Sequence, residues 1–162
     1  MRGIGANDPD WSIFRDGIRA YEFSATIMKE LWFAYHVDHD FALDTDIYFH
    51  AHWAVTGTNA GAVRWGFEYT TCKGHGQQAF PATQTVYVAQ AANGTAYQHM
   101  IAETSAVTLA GLEPDSLILC RVFRDAADGA DTQTGKSFLL VADVHYQVER
   151  FASKNRTPDF YT

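Results

Sequence analysis

The feature that most constrains this chain is a hydrophobic period of two that begins near residue 30 and runs almost to residue 150. Such a period places alternate side chains on opposite faces of an extended strand, whereas a helix would repeat every three to four residues. In DIYFHAHWAV the odd positions Ile47, Phe49, Ala51, Trp53 and Val55 are apolar, and the even positions carry Tyr48, His50 and His52. In VRWGFEYT the same alternation sends Val63, Trp65, Phe67 and Tyr69 to the core and Arg64, Gly66 and Glu68 outward. The turn-forming TNAG between these segments predicts a hairpin. QTVYVAQ is a further strand, ended by AANG, and AYQHMIAE is its expected antiparallel partner. SLILCRVF is apolar on both faces as far as Arg121, which predicts a central strand covered on both sides. After the polar loop RDAADGADTQTGK, alternation resumes through Phe138, Leu140, Ala142, Val144, Tyr146 and Val148, so a second long hairpin is expected.

Strands joined by turns, without intervening helices, leave no room for parallel crossovers, so the sheets are expected to be antiparallel. The fold class read from this pattern is all-β, an antiparallel jelly roll or β-sandwich of about eight strands, two architectures that the pattern does not separate. The N-terminus departs from it. In DPDWSIFRDGIRAYEFSA the apolar residues Trp11, Phe14, Ile18 and Tyr21 recur every three to four positions, which predicts a short helical arm that Asp10 could cap. Gly17 inside that arm costs about 1 kcal/mol relative to Ala, so the helix should be short or docked. The expected organisation is residues 1–28 as an N-terminal arm, 29–151 as a jelly-roll domain and 152–162 as a C-terminal tail.

Composition narrows the function classes. At 162 residues the chain suits one domain, and 47% apolar with 19% charged residues is the composition of a packed core rather than of disorder. A formal charge of -7 repels a phosphate backbone and no segment gathers Lys and Arg, so direct nucleic-acid binding is not expected. No apolar run reaches about 18 residues and MRGIGANDPDW lacks a signal-peptide pattern, so no membrane association is expected and folding in a cytosol is. Cys72 and Cys120 are isolated and far apart, which predicts free thiols.

The strongest lead for chemistry is the pair His50 and His52, which share one strand face about 7 Å apart and so suit a metal. Cupins, which are jelly-roll enzymes, follow such a pair with a Glu, but Trp53, Ala54, Val55 and Thr56 stand here. Glu68 and His145 could complete a site if their strands adjoin. The alternative is a hydrogen-bonded polar layer of His50, His52, Arg64, Glu68, Asp143 and His145 on one sheet. His36 and His39 beside Asp38 and Asp40 read as a solvated loop rather than a metal clip. Asp125, Asp128 and Asp131 lack the terminal Glu of a calcium loop and read as turn chemistry. His75, between Gly74 and Gly76, has no phosphate-loop context, and no Ser or Cys stands in a nucleophile elbow. No complete catalytic site is legible, so neither enzyme activity nor a cofactor is expected. Trp32, Trp53 and Trp65 could stack on sugars if exposed, although the last two fall on core faces.

Taken together, DTDIYFHAHWAV, VRWGFEYT, GTAYQHM, ILCRVFRDAADGADTQTG and FLLVADVHYQ resemble a family of small virion proteins of tailed bacteriophages. The resemblance spans roughly Trp32 to Phe151, and the residues that carry it are His50, His52, Trp53, Arg121, Arg124, Asp125, His145, Tyr146 and Gln147. It implies a jelly-roll homotrimer that binds the major capsid protein on the capsid surface and cements the shell, or else a tail or head-fibre component. Such a subunit needs an inert sandwich and gripping arms rather than an active site. Trp11, Phe14, Phe160 and Tyr161 are the candidate interface anchors on the two arms.

Overall fold

A computed structural model of the chain describes residues 7–148, which form nine strands and no helix. The strands are β1 (Asp10–Arg15), β2 (Ile18–Phe23), β3 (Lys29–His36), β4 (Ile47–Ala54), β5 (Ala62–Lys73), β6 (Gln84–Ala91), β7 (Met100–Glu103), β8 (Ser116–Arg124) and β9 (Ser137–Tyr146). They build two sheets, ordered β1-β2-β9-β4-β7 and β3-β8-β5-β6, with every ladder antiparallel. The all-β, antiparallel, two-sheet character is therefore as expected.

The alternation in β4 and β5 translates directly into packing. Ile47, Phe49, Ala51, Trp53 and Val55 are buried, as are Val63, Trp65, Phe67 and Tyr69. Trp53 and Trp65 meet edge-on at 6.3 Å between rings, Phe23 meets Trp65 at 5.1 Å, and Phe49 stacks on Phe67 at 5.3 Å. Full burial removes Trp53 and Trp65 as sugar platforms and leaves Trp32, which is partly exposed.

The helical arm is corrected. Residues 10–23 form the hairpin β1–β2, turning at Asp16 and Gly17, and β2 pairs with β9 from Tyr21 to Phe23. Trp11 and Tyr21 face each other across the ladder with rings 4.7 Å apart, so two strands meeting at a turn imitated a helical spacing. The Asp-Gly dipeptide between apolar runs is itself a hairpin signal, and Asp16 takes the positive φ of 50° that Asp tolerates.

Three expected hairpins are corrected as well. β4 and β5 lie in different sheets, as do β6 and β7, and β8 and β9. Turn residues dictate that a chain reverses, not which partner it then meets. Counted inward from both ends, β2 pairs with β9, β3 with β8, β4 with β7 and β5 with β6. The chain is thus a long antiparallel double ribbon folded over on itself, with the ladders β4–β9 and β5–β8 joining its successive turns. β8 is internal, bonded to β3 and β5, although Leu119 on its outer face reaches solvent.

Along β9 the inward alternation breaks. His52 pairs with Val141 but Trp53 pairs with Leu139, so Leu140 is an extra residue in the ladder. A bulge of this kind reverses the facing of what lies beyond it. Leu139 accordingly enters the core, Leu140 is exposed, and Phe138 turns to the outer face under Phe14, at 5.3 Å between rings. Val148, beyond the strand, is exposed.

Candidate metal centre

The outer face of the five-stranded sheet gathers the histidines. β4 presents His50 and His52 there because their odd-numbered neighbours fill the core, and β9, paired with β4, brings Asp143 opposite His50 and His145 opposite Tyr48. The metal-ligating atoms of His50, His52, Asp143 and His145 all lie within 4.8 Å of one another. His50 and His145 overlap with ring centroids 3.6 Å apart, His52 Nε2 is 3.4 Å from Asp143 Oδ2, and His145 Nε2 is 3.8 Å from the same oxygen.

Around these four stands a supporting shell. β7 lies on the other side of β4, opposing Glu103 to His50, and Glu103 Oε2 holds His50 Nε2 at 2.6 Å. His99, just before β7, holds His52 Nδ1 at 2.8 Å. Each of the two β4 imidazoles therefore has one nitrogen engaged outside the cluster. The other nitrogens, His50 Nδ1 and His52 Nε2, are buried without a hydrogen-bond partner, as is Asp143 Oδ1. Burial, reinforced by His99, His50 and His145, holds His52 below the usual histidine range in spite of Asp143, favouring the neutral, lone-pair-bearing imidazole.

Of the candidates read from sequence, His50, His52 and His145 come together and Glu68 does not. Glu68 lies on β5 in the four-stranded sheet, bonded to Arg121 at 2.7 Å. The single polar layer is likewise divided: Arg64 and Glu68 belong to one sheet, and His50, His52, Asp143 and His145 to the other. The supporting residues Glu103 and His99 were missed. Their signal was the alternation of Met100 and Ala102 inward with Ile101 and Glu103 outward, which puts Glu103 on the histidine face.

A second histidine group surrounds Asp115. His36 and His39 Nε2 both stand 3.0 Å from its Oδ1, and His75 Nε2 stands 2.9 Å from Oδ2. Asp38 and Asp40, their sequence neighbours, instead accept hydrogen bonds from Tyr146, so the histidines and aspartates of this loop do not form a clip. Burial pushes the Asp115 carboxyl up, but hydrogen bonds from His75 and His39, with the charge of His39 and His36, outweigh it and hold the group below its ordinary value.

The acidic loop is built around arginines. Arg64 pairs with Asp125 and lies 3.2 Å from Asp128. Arg124, fully buried, grips Asp131 with Nε and Nη2 at 2.8 Å each and donates also to the carbonyls of Gly135 and Gln133. Cys72 and Cys120 are free and buried, and burial raises the Cys120 thiol.

Among the interface candidates, Trp11 is 56% exposed on the edge strand β1, beside Ile13 at 57%. Phe14 packs on its own domain, against Phe138 and Tyr97. Phe160, Tyr161 and the tail 152–162 lie outside the described residues. Comparison with known proteins finds no matching family model, no similar curated protein and no similar solved structure.

Proposed function

We propose that this chain is a structural virion protein of a tailed bacteriophage, a decoration subunit that binds the outer capsid shell as a homotrimer and stabilises it. The observation that carries the reading is the edge strand β1, which ends one sheet with Trp11 and Ile13 more than half exposed on the same face. An open strand edge bearing large apolar side chains invites a partner, because it offers both unpaired backbone groups and apolar area. The resemblance of the β4, β5, β8 and β9 segments to small phage virion proteins supplies the kind of assembly.

The strand pairing supports reading the sandwich as a jelly roll. A double ribbon in which β2–β5 pair in turn with β9–β6, wound so that β2-β9-β4-β7 and β3-β8-β5-β6 face one another, is how that architecture is built. β1 is then an addition outside the eight-stranded ribbon, placed where a subunit contact can use it. Cementing works by mass action: a subunit that binds only the assembled shell stabilises it by RT ln(1 + [L]/Kd) per site, and symmetric copies add avidity.

The test is to locate the protein in purified virions by density or labelled antibody. Copies spread over the capsid faces support decoration. A few copies at one vertex assign the protein to a tail or head fibre, and absence from virions overturns the reading and returns the question to a metal-dependent enzyme.

A further inference from the structure

We propose that His50, His52, Asp143 and His145 bind one divalent transition-metal ion of the zinc type on the outer face of the five-stranded sheet, where it clips β4 to β9. The inference is independent of any role in a virion and rests on the geometry of this face alone.

Three observations converge on it. The first is the donor set. Three imidazoles and one carboxylate form a nitrogen-rich, borderline set that suits zinc and its first-row neighbours, whereas calcium and magnesium take all-oxygen shells. The second is spacing. A tetrahedral ion with bonds of about 2.0–2.1 Å holds its ligand atoms about 3.3 Å apart. The distances of 3.4 Å and 3.8 Å from Asp143 Oδ2 to His52 and His145 already approach this, and the full spread of 4.8 Å closes by side-chain rotation.

The third observation is what the buried polar atoms lack. His50 is only 3% exposed, its Nε2 is committed to Glu103, and its Nδ1 has no hydrogen-bond partner. His52 Nε2, 3.4 Å from Asp143 Oδ2, and Asp143 Oδ1 are likewise buried without a hydrogen-bond partner in the same cluster. Three polar atoms left without a hydrogen bond in one buried place keep their full desolvation penalty unless something meets them. The pattern of the satisfied atoms is equally informative: a ligating histidine ordinarily gives its second N–H to a carboxylate or another acceptor, which fixes the lone pair of the first toward the metal. Glu103 does this for His50, and His99 does it for His52 when His52 donates Nδ1–H.

The role follows from the ligand count. Four protein ligands close a tetrahedral shell, the mark of structural zinc, whereas catalytic zinc keeps a position for water. Two ligands come from β4 and two from β9, so the ion ties together the two strands whose ladder joins successive turns of the ribbon.

The experiment uses the full, tag-free chain, stripped with chelator and titrated with Zn²⁺ and, separately, Co²⁺. The expected result is one equivalent bound per chain, a visible absorption band of tetrahedral Co²⁺, and a higher Tm with Zn²⁺. His145→Ala, which removes a side chain that is 53% exposed and only a ring contact with His50 on the outer face, should weaken binding at least tenfold, while His75→Ala, which alters the Asp115 group, should leave it unchanged. Absence of stoichiometric binding to the wild-type chain overturns the proposal. So does an affinity that is unchanged in His145→Ala, or that is lost in His75→Ala, since the ion would then sit elsewhere.

Discussion

Arg124 and Asp131 illustrate what a single buried pair must satisfy. Both are almost wholly removed from solvent, and the guanidinium is saturated by the carboxylate, two carbonyls and Ser137. A buried pair gains little over an apolar substitute, but removing one partner strands a charge, at a cost of about 3–5 kcal/mol. Asp131→Ala is therefore expected to destabilise the fold by that amount in urea unfolding; a change below about 1 kcal/mol would mean that Arg124 finds another partner. Asp115 makes a pH-dependent prediction. Its carboxyl, ringed by His36, His39 and His75, titrates below its unfolded value near 3.8, so the unfolded chain binds more protons in acid. The stability it contributes is present above that value and is lost as pH falls through the folded pKa, below about 4. Asp115→Asn, which keeps a residue tolerant of the positive φ of 63°, should flatten the acid limb of a Tm-against-pH curve; an unchanged slope would show that other carboxyls dominate it. At the histidine cluster, Glu103→Gln tests positioning without removing a ligand. Zn²⁺ affinity should fall about 10–100-fold with one equivalent still bound, the usual cost of losing an outer-shell carboxylate.

At the scale of elements, what the sequence reveals depends on whether the cause is local. The facing of β4 and β5 is local: each apolar side chain takes its face from its own parity, so the core rings from Ile47 to Tyr69 and the outward histidines are legible directly. Parity also places Asp143 and His145 outward on β9, but not that β9 lies beside β4, because that ladder joins residues roughly 90 positions apart. Partner choice is a property of the whole ribbon, which is why three turns read as hairpins in fact carry the chain between sheets. The bulge at Leu140 has no compositional signature; neither Leu139 nor Leu140 says which is extra, and the pairing against β4 decides it. Close backbone approach is similarly silent in sequence. A Cβ at Gly61 would stand 2.3 Å from the carbonyl oxygen of Thr132, where the loop before β9 bonds to the start of β5 through Ala62. Gly61→Ala is expected to cost about 1–3 kcal/mol by forcing that backbone apart, with a lowered Tm as the readout.

For the whole molecule the β1–β2 hairpin has two separable roles, and a variant can distinguish them. β2 belongs to the body of the fold: it pairs with β9 and places Phe23, with no exposed surface, against Trp65. Deleting residues 1–25 would therefore remove a structural strand along with any contact surface, and loss of attachment in such a deletion could not be assigned to either. β1 is different, since it is bonded only to β2 and bears Trp11 and Ile13 toward solvent. Replacing both, as Trp11→Glu with Ile13→Lys, keeps the strand and its ladder, at a cost of about 0.5–1.5 kcal/mol for the lost Trp11–Tyr21 ring contact and less at exposed Ile13. If β1 is the contact surface of a homotrimer, the wild-type chain should sediment at three times the chain mass of 18.1 kDa and the double variant at one, with the β-sheet circular dichroism unchanged. The opposed charges leave the net charge of -7 as it was, so dissociation could not be ascribed to added repulsion between subunits. A double variant that remains trimeric would move the interface to another face, and a wild-type chain that is monomeric at high concentration would leave the exposed edge to the shell itself.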